Sequence, residues 1–280
     1  MTESPKEISK KSKSSFYYAF NLLPEDKRDA MNTVYAFCRK TDDIVDETDD
    51  SPDVKYEKLR KWRLEFEKCF TGHSEFQLLN KLGTTISKFN IPLDPFFELI
   101  KGMEMDLQKD RYKSFDDLQL YCYRVASTVG LMCIEIFGYK NVSTKNFAID
   151  LGIALQMTNI LRDIGKDAKS GRIYLPLEDI QRFNYSEQEI LAMIYNNNFR
   201  DLMVYESARA KQYFNSANSY LDPDDKKTMF AARAMQHIYY KMLEKIVAAD
   251  YDVYNNEIKV SKIEKVGIAI GVWAKYNLVY

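Results

Sequence analysis

Gln156-Met157-Thr158-Asn159-Ile160-Leu161-Arg162-Asp163-Ile164-Gly165-Lys166-Asp167 sets Asn159, Asp163 and Asp167 at i, i+4 and i+8. On a helix these side chains stack on one stripe, and Gln156 falls one turn earlier, giving up to four oxygen-bearing groups in a row. The stripe lies inside an apolar stretch (Leu151, Ile153, Ala154, Leu155, Ile160, Leu161), where an unpaired polar group is costly to bury. A bound partner is the economical reason for such a row.

A second acidic row stands near the start of the chain. Arg39-Lys40-Thr41-Asp42-Asp43-Ile44-Val45-Asp46-Glu47 places Asp42 and Asp46 at i, i+4, with Cβ atoms roughly 6 Å apart on a helix. Like charges at that spacing repel, and bridging Mg2+ would reverse the sign, since a hard cation takes oxygen ligands and keeps water and phosphate in its shell. Asp43 and Glu47 form a parallel pair one step round the helix. An isolated DxxxD is more often a solvated face, but two such rows facing each other would hold metal ions and a diphosphate between them. Arg39 and Arg162 adjoin the rows and Arg172 follows a turn at Gly171; guanidinium groups suit bidentate phosphate contact. Taken singly, each arginine reads equally well as an ordinary salt bridge.

The remainder of the chain supports helices. Only 10 Gly and 7 Pro punctuate 280 residues, hydrophobic residues make up 46%, and no alternating strand pattern of useful length is present. Helices are predicted from Pro24-Glu25-Asp26 through Val45, from about Tyr56 to Phe70, from Leu78 to Phe89 and from Pro95 to Leu107. Further helices are predicted over Phe115–Phe137 (long, central and buried), over Phe147–Ile164 stopping near Gly165, and over Glu187–Tyr220 and Lys226–Asp250, both outer and amphipathic. The fold class is all-α, with residues 1–280 as a single domain and the first dozen residues a Lys/Ser-rich flexible arm.

Composition excludes several functions. A net charge of −1 offers no basic field for nucleic acid. Two histidines, His73 and His237, exclude a histidine-rich metal centre. Cys38, Cys69, Cys122 and Cys133 match neither a zinc template nor a disulfide framework, which indicates a reducing cytoplasm. The N-terminus lacks the apolar core of a signal peptide, and the Val266–Ala274 run is too short to span a bilayer, so the expectation is a cytoplasmic protein with room for peripheral contact at the inner membrane face.

Three stretches together resemble the squalene/phytoene synthase family of class I isoprenoid synthases: Tyr35-Ala36-Phe37-Cys38-Arg39 through Asp46, Tyr121-Cys122-Tyr123-Arg124-Val125-Ala126-Ser127-Thr128-Val129-Gly130, and Asn159 through Pro176. The likeness runs from Lys13-Ser14-Ser15-Phe16 to about Tyr254. It implies a helical bundle around a central cavity and head-to-head joining of two prenyl diphosphates through a cyclopropylcarbinyl diphosphate. It further implies that Asp42 and Asp46 form the first metal pair, and that Asn159, Asp163 and Asp167, with Gln156 beside them, form the second set, for Mg2+ with Mn2+ as an alternative. Diphosphate contacts fall on Ser15, Tyr35, Arg39, Arg162, Arg172, Tyr174 and Tyr239, and Tyr121 assists proton removal or cation steering. Phe16, Phe20, Val125, Val129 and Gly130 line the prenyl cavity. Gly130 costs roughly 1 kcal/mol against alanine within a helix, so it needs a close approach of chain or ligand to justify it. Lys13 and Lys166 depart from the family pattern, the first where some relatives carry serine, the second where an acidic residue is frequent.

Within the family, Gly102-Met103-Glu104-Met105-Asp106-Leu107 and Ile134-Glu135-Ile136-Phe137-Gly138-Tyr139 resemble bacterial presqualene diphosphate synthases. Farnesyl diphosphate is therefore the expected substrate, with squalene or dehydrosqualene as onward products and phytoene synthesis from geranylgeranyl diphosphate as the alternative. The absence of a Gly-rich nucleotide loop favours a product that is not reduced and leaves NADPH open. A non-catalytic assembly factor of the same family would lose the metal carboxylates, whereas Asp42, Asp46, Asn159 and Asp163 all stand. A head-to-tail prenyltransferase or terpene cyclase would lack the Arg172-Ile173-Tyr174-Leu175-Pro176 segment. Oligomeric state is open.

Overall fold

The computed structural model describes residues 5–7, 20–46 and 50–276. Lys13, Ser15, Phe16, Glu47 and most of the N-terminal arm, with the expectations attached to them, lie outside the described residues. Helices α1 (Glu25–Asp46), α2 (Pro52–Lys68), α3 (Gln77–Phe89) and α4 (Asp94–Gln108) precede α5 (Phe115–Cys122), a π-helical turn over Tyr123–Ser127 and α6 (Thr128–Phe137). Then come α7 (Ser143–Lys169), the short α8 (Leu177–Arg182) and α9 (Glu187–Leu191), and finally α10 (Asn197–Tyr220), α11 (Phe230–Ala248) and α12 (Lys262–Ala274). Among the described residues there is no strand, only an isolated bridge between Arg111 and Ile173. The all-α class stands.

Local chemistry sets the helix ends. Ser114 caps α5 by accepting from the Asp117 N–H, and Asn196 caps α10 by accepting from the Phe199 N–H. Ser261 and Glu264 form a reciprocal capping box at the start of α12. Asn90 ends α3 in the left-handed conformation, at the Asn90-Ile91-Pro92 break that the sequence marks.

Three of the departures from the sequence reading have a clear physical cause. Helix α7 passes through Gly165 and ends only at Lys169, where Gly171 (φ 77°) turns the chain and the Arg172 N–H returns to the Asp167 carbonyl at 2.9 Å. Glycine inside a helix is a cost that packing overrides here, since a Cβ on Gly165 would sit 3.2 Å from the Tyr254 ring. The extra turn keeps Asp167 in the same row as Asn159 and Asp163. The predicted Glu187–Tyr220 helix is broken between Leu191 and Asn197, with Met193 at φ 53° and Asn196 supplying a new cap. The helix predicted from Lys226 begins at Phe230, after a 3-10 turn over Pro223–Asp225.

The core is aromatic beneath α1. Phe37, Phe66 and Phe96 are fully buried and in mutual ring contact, each burial worth about 1.5–3 kcal/mol. Trp62 donates its indole N–H to the Thr41 hydroxyl at 2.9 Å, and Thr41 donates to the Phe37 carbonyl at 2.8 Å. That chain pins the acid-bearing half of α1 against α2. By length and composition Phe115–Phe137 would suit a membrane span; in the fold it is the central helix, packed against α4 and α7, with α6 also meeting α1. Gly130 lets α6 approach the α7 backbone, since a Cβ there would lie 2.9 Å from the Ala148 carbonyl oxygen. The two helices expected as outer are deeper than that. Helix α10 buries Phe199, Leu202, Met203 and Phe214 and packs extensively on α7, while α11 lends residues to the cavity described next. Amphipathicity reports that one face is buried but not in which layer.

Candidate active site

A cavity of about 660 Å3 opens between α1, α4, the α5–α6 segment, α7 and α11. Asp42 and Asp46 face it from α1; Gln156, Asn159, Asp163 and Asp167 face it from α7; the two rows thus address one space. Tyr35, Arg39, Arg162, Arg172, Tyr174 and Tyr239 join them, and Tyr121, Phe20, Val125, Val129 and Gly130 line the rest. Every candidate residue within the described part of the chain is brought to this cavity; Ser15 and Phe16 lie outside that part.

The basic groups are already engaged. Arg39 spans two carboxylates, with Nη1 3.3 Å from Asp42 and Nε 2.7 Å from Asp43. Arg162 grips Asp163 through both Nε (2.9 Å) and Nη2. The Asp110–Lys113 loop holds the segment after α7 in place: Ile173 N–H donates to the Asp110 carbonyl at 3.1 Å and Leu177 N–H to the Tyr112 carbonyl at 2.9 Å. This pairing sets Arg172 and Tyr174 against α4.

There the structure reveals a residue that the sequence reading did not select. Asp106, 8% exposed, accepts from the Tyr121 hydroxyl at 2.9 Å and from the Tyr174 hydroxyl at 3.0 Å, and Arg172 Nη1 stands 3.6 Å away. Arg172 also donates to Tyr174 Oη at 3.0 Å and to the Asp106 carbonyl at 2.8 Å. Tyr121 and Tyr174 stack with ring centroids 5.3 Å apart. The available signal was a lone aspartate among Met103, Met105 and Leu107. Lys265 of α12 is a second lining residue that was missed.

Electrostatics mark the rows as an anionic site in want of a cation. Burial, reinforced by Asp46, pushes Asp42 up to about 7. Burial, reinforced by Asp163, pushes Asp167 up to about 6, and burial pushes Asp106 to about 6 against the pull of Arg172. Asn159 Oδ1 is buried without a hydrogen-bond partner. An orphaned acceptor beside mutually repelling carboxylates is the donor set a hard divalent cation takes. Among the described residues no three His, Cys, Asp or Glu side chains cluster tightly enough to hold a metal alone, which suits ions completed by substrate phosphate and water. Cys38 and Cys133 also line the cavity, and burial pushes both thiols upward, so they stay protonated and apolar.

A helical cavity with opposed carboxylate rows at one end and an apolar remainder defines the class that ionises prenyl diphosphates. Residues 9–264 match the family model for squalene/phytoene synthase, and the chain belongs to that family. It is 36% identical to a phytoene synthase of Arthrospira platensis, covering 93% of this chain and 88% of that protein, and 36% identical to the chloroplastic phytoene synthase 2 of Solanum lycopersicum, covering 90% and 83%. Among solved structures it superposes on a dehydrosqualene synthase in complex with ligand with a TM-score of 0.86 at 29% identity, covering 99% and 96% of the two chains. A squalene synthase from Alicyclobacillus acidocaldarius gives 0.78 at 26% identity, covering 88% and 94%. Head-to-head condensation of prenyl diphosphates is the activity of this family, and its members are prenyltransferases.

Proposed function

We propose that the chain joins two molecules of farnesyl diphosphate head to head, in the presence of Mg2+, to give presqualene diphosphate. The observation that carries the chain-length choice is the position of three phenylalanines. Along α7, Phe147 lies twelve residues before Asn159, about 18 Å at 1.5 Å per residue, and is the cavity residue of that helix farthest from the metal row. Phe137 holds the corresponding place on α6, which runs antiparallel to α7 with Gly130 against Ala148 and Gly152 against Ser127, and Phe20 also lines the cavity. Rings at this depth shorten the space open to each prenyl tail.

The residues divide the work as follows. Asp42, Asp46, Asn159, Asp163 and Asp167, with Gln156 adjoining, would hold Mg2+, which when bound supplies Lewis-acid stabilisation of the departing diphosphate. Arg39 and Arg162 exchange their carboxylate partners for diphosphate oxygens, and Arg172 adds its charge while keeping Asp106; together they offset the charge that develops there. Tyr35 and Tyr239 border the same end. The apolar wall of Val125, Val129, Leu151 and Leu155 keeps water from the allylic cation, and aromatic faces stabilise positive charge without offering a strong nucleophile. Tyr121 accepts the proton whose loss closes the cyclopropane ring.

A second reading has its own support: the relatives named phytoene synthase suggest the longer geranylgeranyl diphosphate as substrate. Incubation with Mg2+ and each diphosphate, with and without NADPH, followed by mass spectrometry of the products, separates the two. A thirty-carbon cyclopropyl diphosphate from the shorter substrate is expected; product from the longer substrate alone would overturn the choice. The product, with its thirty-carbon apolar body, also needs a destination. Ile263, Val266 and Ile270 are exposed at i, i+3 and i+7 on α12, with Lys262 and Lys275 at its ends, which supports peripheral contact with an anionic lipid surface.

A further inference from the structure

We propose that Asp106 is the positioning residue and terminal proton acceptor for Tyr121, making the pair a two-step proton relay. The inference rests on the head-to-head reading and deepens it. A phenol has one proton to donate, and here both Tyr121 and Tyr174 give theirs to the two oxygens of one carboxylate, at 2.9 and 3.0 Å. Tyr121 Oη therefore keeps its lone pairs for the cavity, instead of pointing its O–H into it. Tyr174 is committed in the same sense, since Arg172 donates to its oxygen at 3.0 Å while its own proton goes to Asp106. The 3.5 Å Tyr121–Tyr174 oxygen contact is longer than either bond to the carboxylate. Arg172, 3.6 Å from Asp106, holds the carboxylate in place.

In the ring-closing step, the C–H bond at the carbon that the diphosphate left breaks. Its electron pair forms the third side of the cyclopropane at the tertiary cation. Its proton passes to Tyr121 Oη, and the phenolic proton moves along the 2.9 Å hydrogen bond to Asp106 Oδ2. Tyr121 ends as a neutral phenol, Asp106 as a neutral acid, and the carbocation charge is cancelled. A phenol alone is a poor base; a phenol already donating to a carboxylate is not asked to carry a second proton.

A merely structural aspartate would anchor Arg172, and its loss would slow diphosphate release and condensation together. The discriminating readout is the fraction of released diphosphate that ends in condensed product, a ratio independent of how much enzyme is active. In Asp106→Asn this fraction should fall at least about 100-fold, the scale of general-base catalysis, with prenyl alcohols and elimination products taking its place. Tyr121→Phe should show the same redirection, and the double variant should be no worse than either single one, because residues acting as a unit are not additive. An unchanged fraction in either single variant, or additive losses in the double, would overturn the relay. If the wild-type protein itself makes no condensed product from either diphosphate, the head-to-head reading fails instead.

Discussion

Arg162 lies across the carboxylate of Asp163, Nε 2.9 Å from Oδ1 and Nη2 engaging Oδ2. The middle of the α7 row is thus held by a guanidinium rather than left as bare repelling charge. On the proposed function, Asp163 would hold Mg2+ and Arg162 would take diphosphate, so binding would require them to part. Removing the arginine should therefore have opposite effects on the two ligands. Arg162→Ala is expected to raise the affinity for Mg2+ alone and to weaken that for prenyl diphosphate by tenfold or more, since a charged hydrogen bond is worth about 1.5–3 kcal/mol. Calorimetric titration with each ligand measures both; weakening of both would show that the pair is only structural.

The carboxylates also set a pH dependence. Asp42 at about 7 and Asp167 at about 6 bind protons more readily folded than unfolded. Their contribution to stability is therefore present at acidic pH and lost as pH rises towards and through about 7. Mg2+ held by these carboxylates, as proposed, would compete with protons for the same oxygens. The rise in Tm on adding Mg2+ and inorganic diphosphate should be larger near pH 7.5 than near pH 5.5, and Asp42→Asn should flatten the difference. Equal shifts at both pH values would contradict this reading.

Chain length is a separate question with its own variant. Phe→Ala in a core costs about 3–5 kcal/mol, so Phe137→Leu is the gentler choice. It should raise turnover of geranylgeranyl diphosphate relative to farnesyl diphosphate, read by competition between the two substrates. An unchanged ratio would show that the cavity is not limited at Phe137.

Away from the site, one buried carboxylate supports the turn that launches α7. Asp225 is 1% exposed and accepts from the Lys140 and Asn141 N–H groups, the Asn141 amide and the Thr144 hydroxyl at 2.7–3.2 Å. Although burial works in the opposite sense, these hydrogen bonds hold its carboxyl below the ordinary range. Asp225→Ala leaves several donors unpaired, at about 1–3 kcal/mol for each one that stays buried. Denaturant unfolding should show a loss of about 3 kcal/mol, whereas a loss under about 1 kcal/mol would mean that water replaces the carboxylate.

The two rows were legible because a 3.6-residue period converts spacing into facing, and because oxygen-bearing side chains along an apolar helix are too costly to bury without something bound to them. The site's membership followed from the family likeness for Tyr121 and Tyr174, and from the turn at Gly171 for Arg172. Asp106 was not legible: its partners lie 15, 66 and 68 residues away, and its own stretch reads as an ordinary apolar helix. The π turn at Tyr123–Ser127 left no mark either, since one widened turn barely disturbs a periodic pattern. Gly165 misled for a physical reason. Its helix penalty is small beside the packing on both sides of it, so the helix ends where Gly171 supplies a positive φ.

Diphosphate release from farnesyl diphosphate, followed with and without Mg2+ in the wild-type protein and in Asp46→Asn, tests the opposed-row cradle most directly. Release should require Mg2+, and the variant should lose about 100-fold or more, the scale of removing one electrostatic contact to a leaving oxyanion, while keeping its Tm. Full turnover by Asp46→Asn, or by wild-type protein in excess chelator, would contradict it.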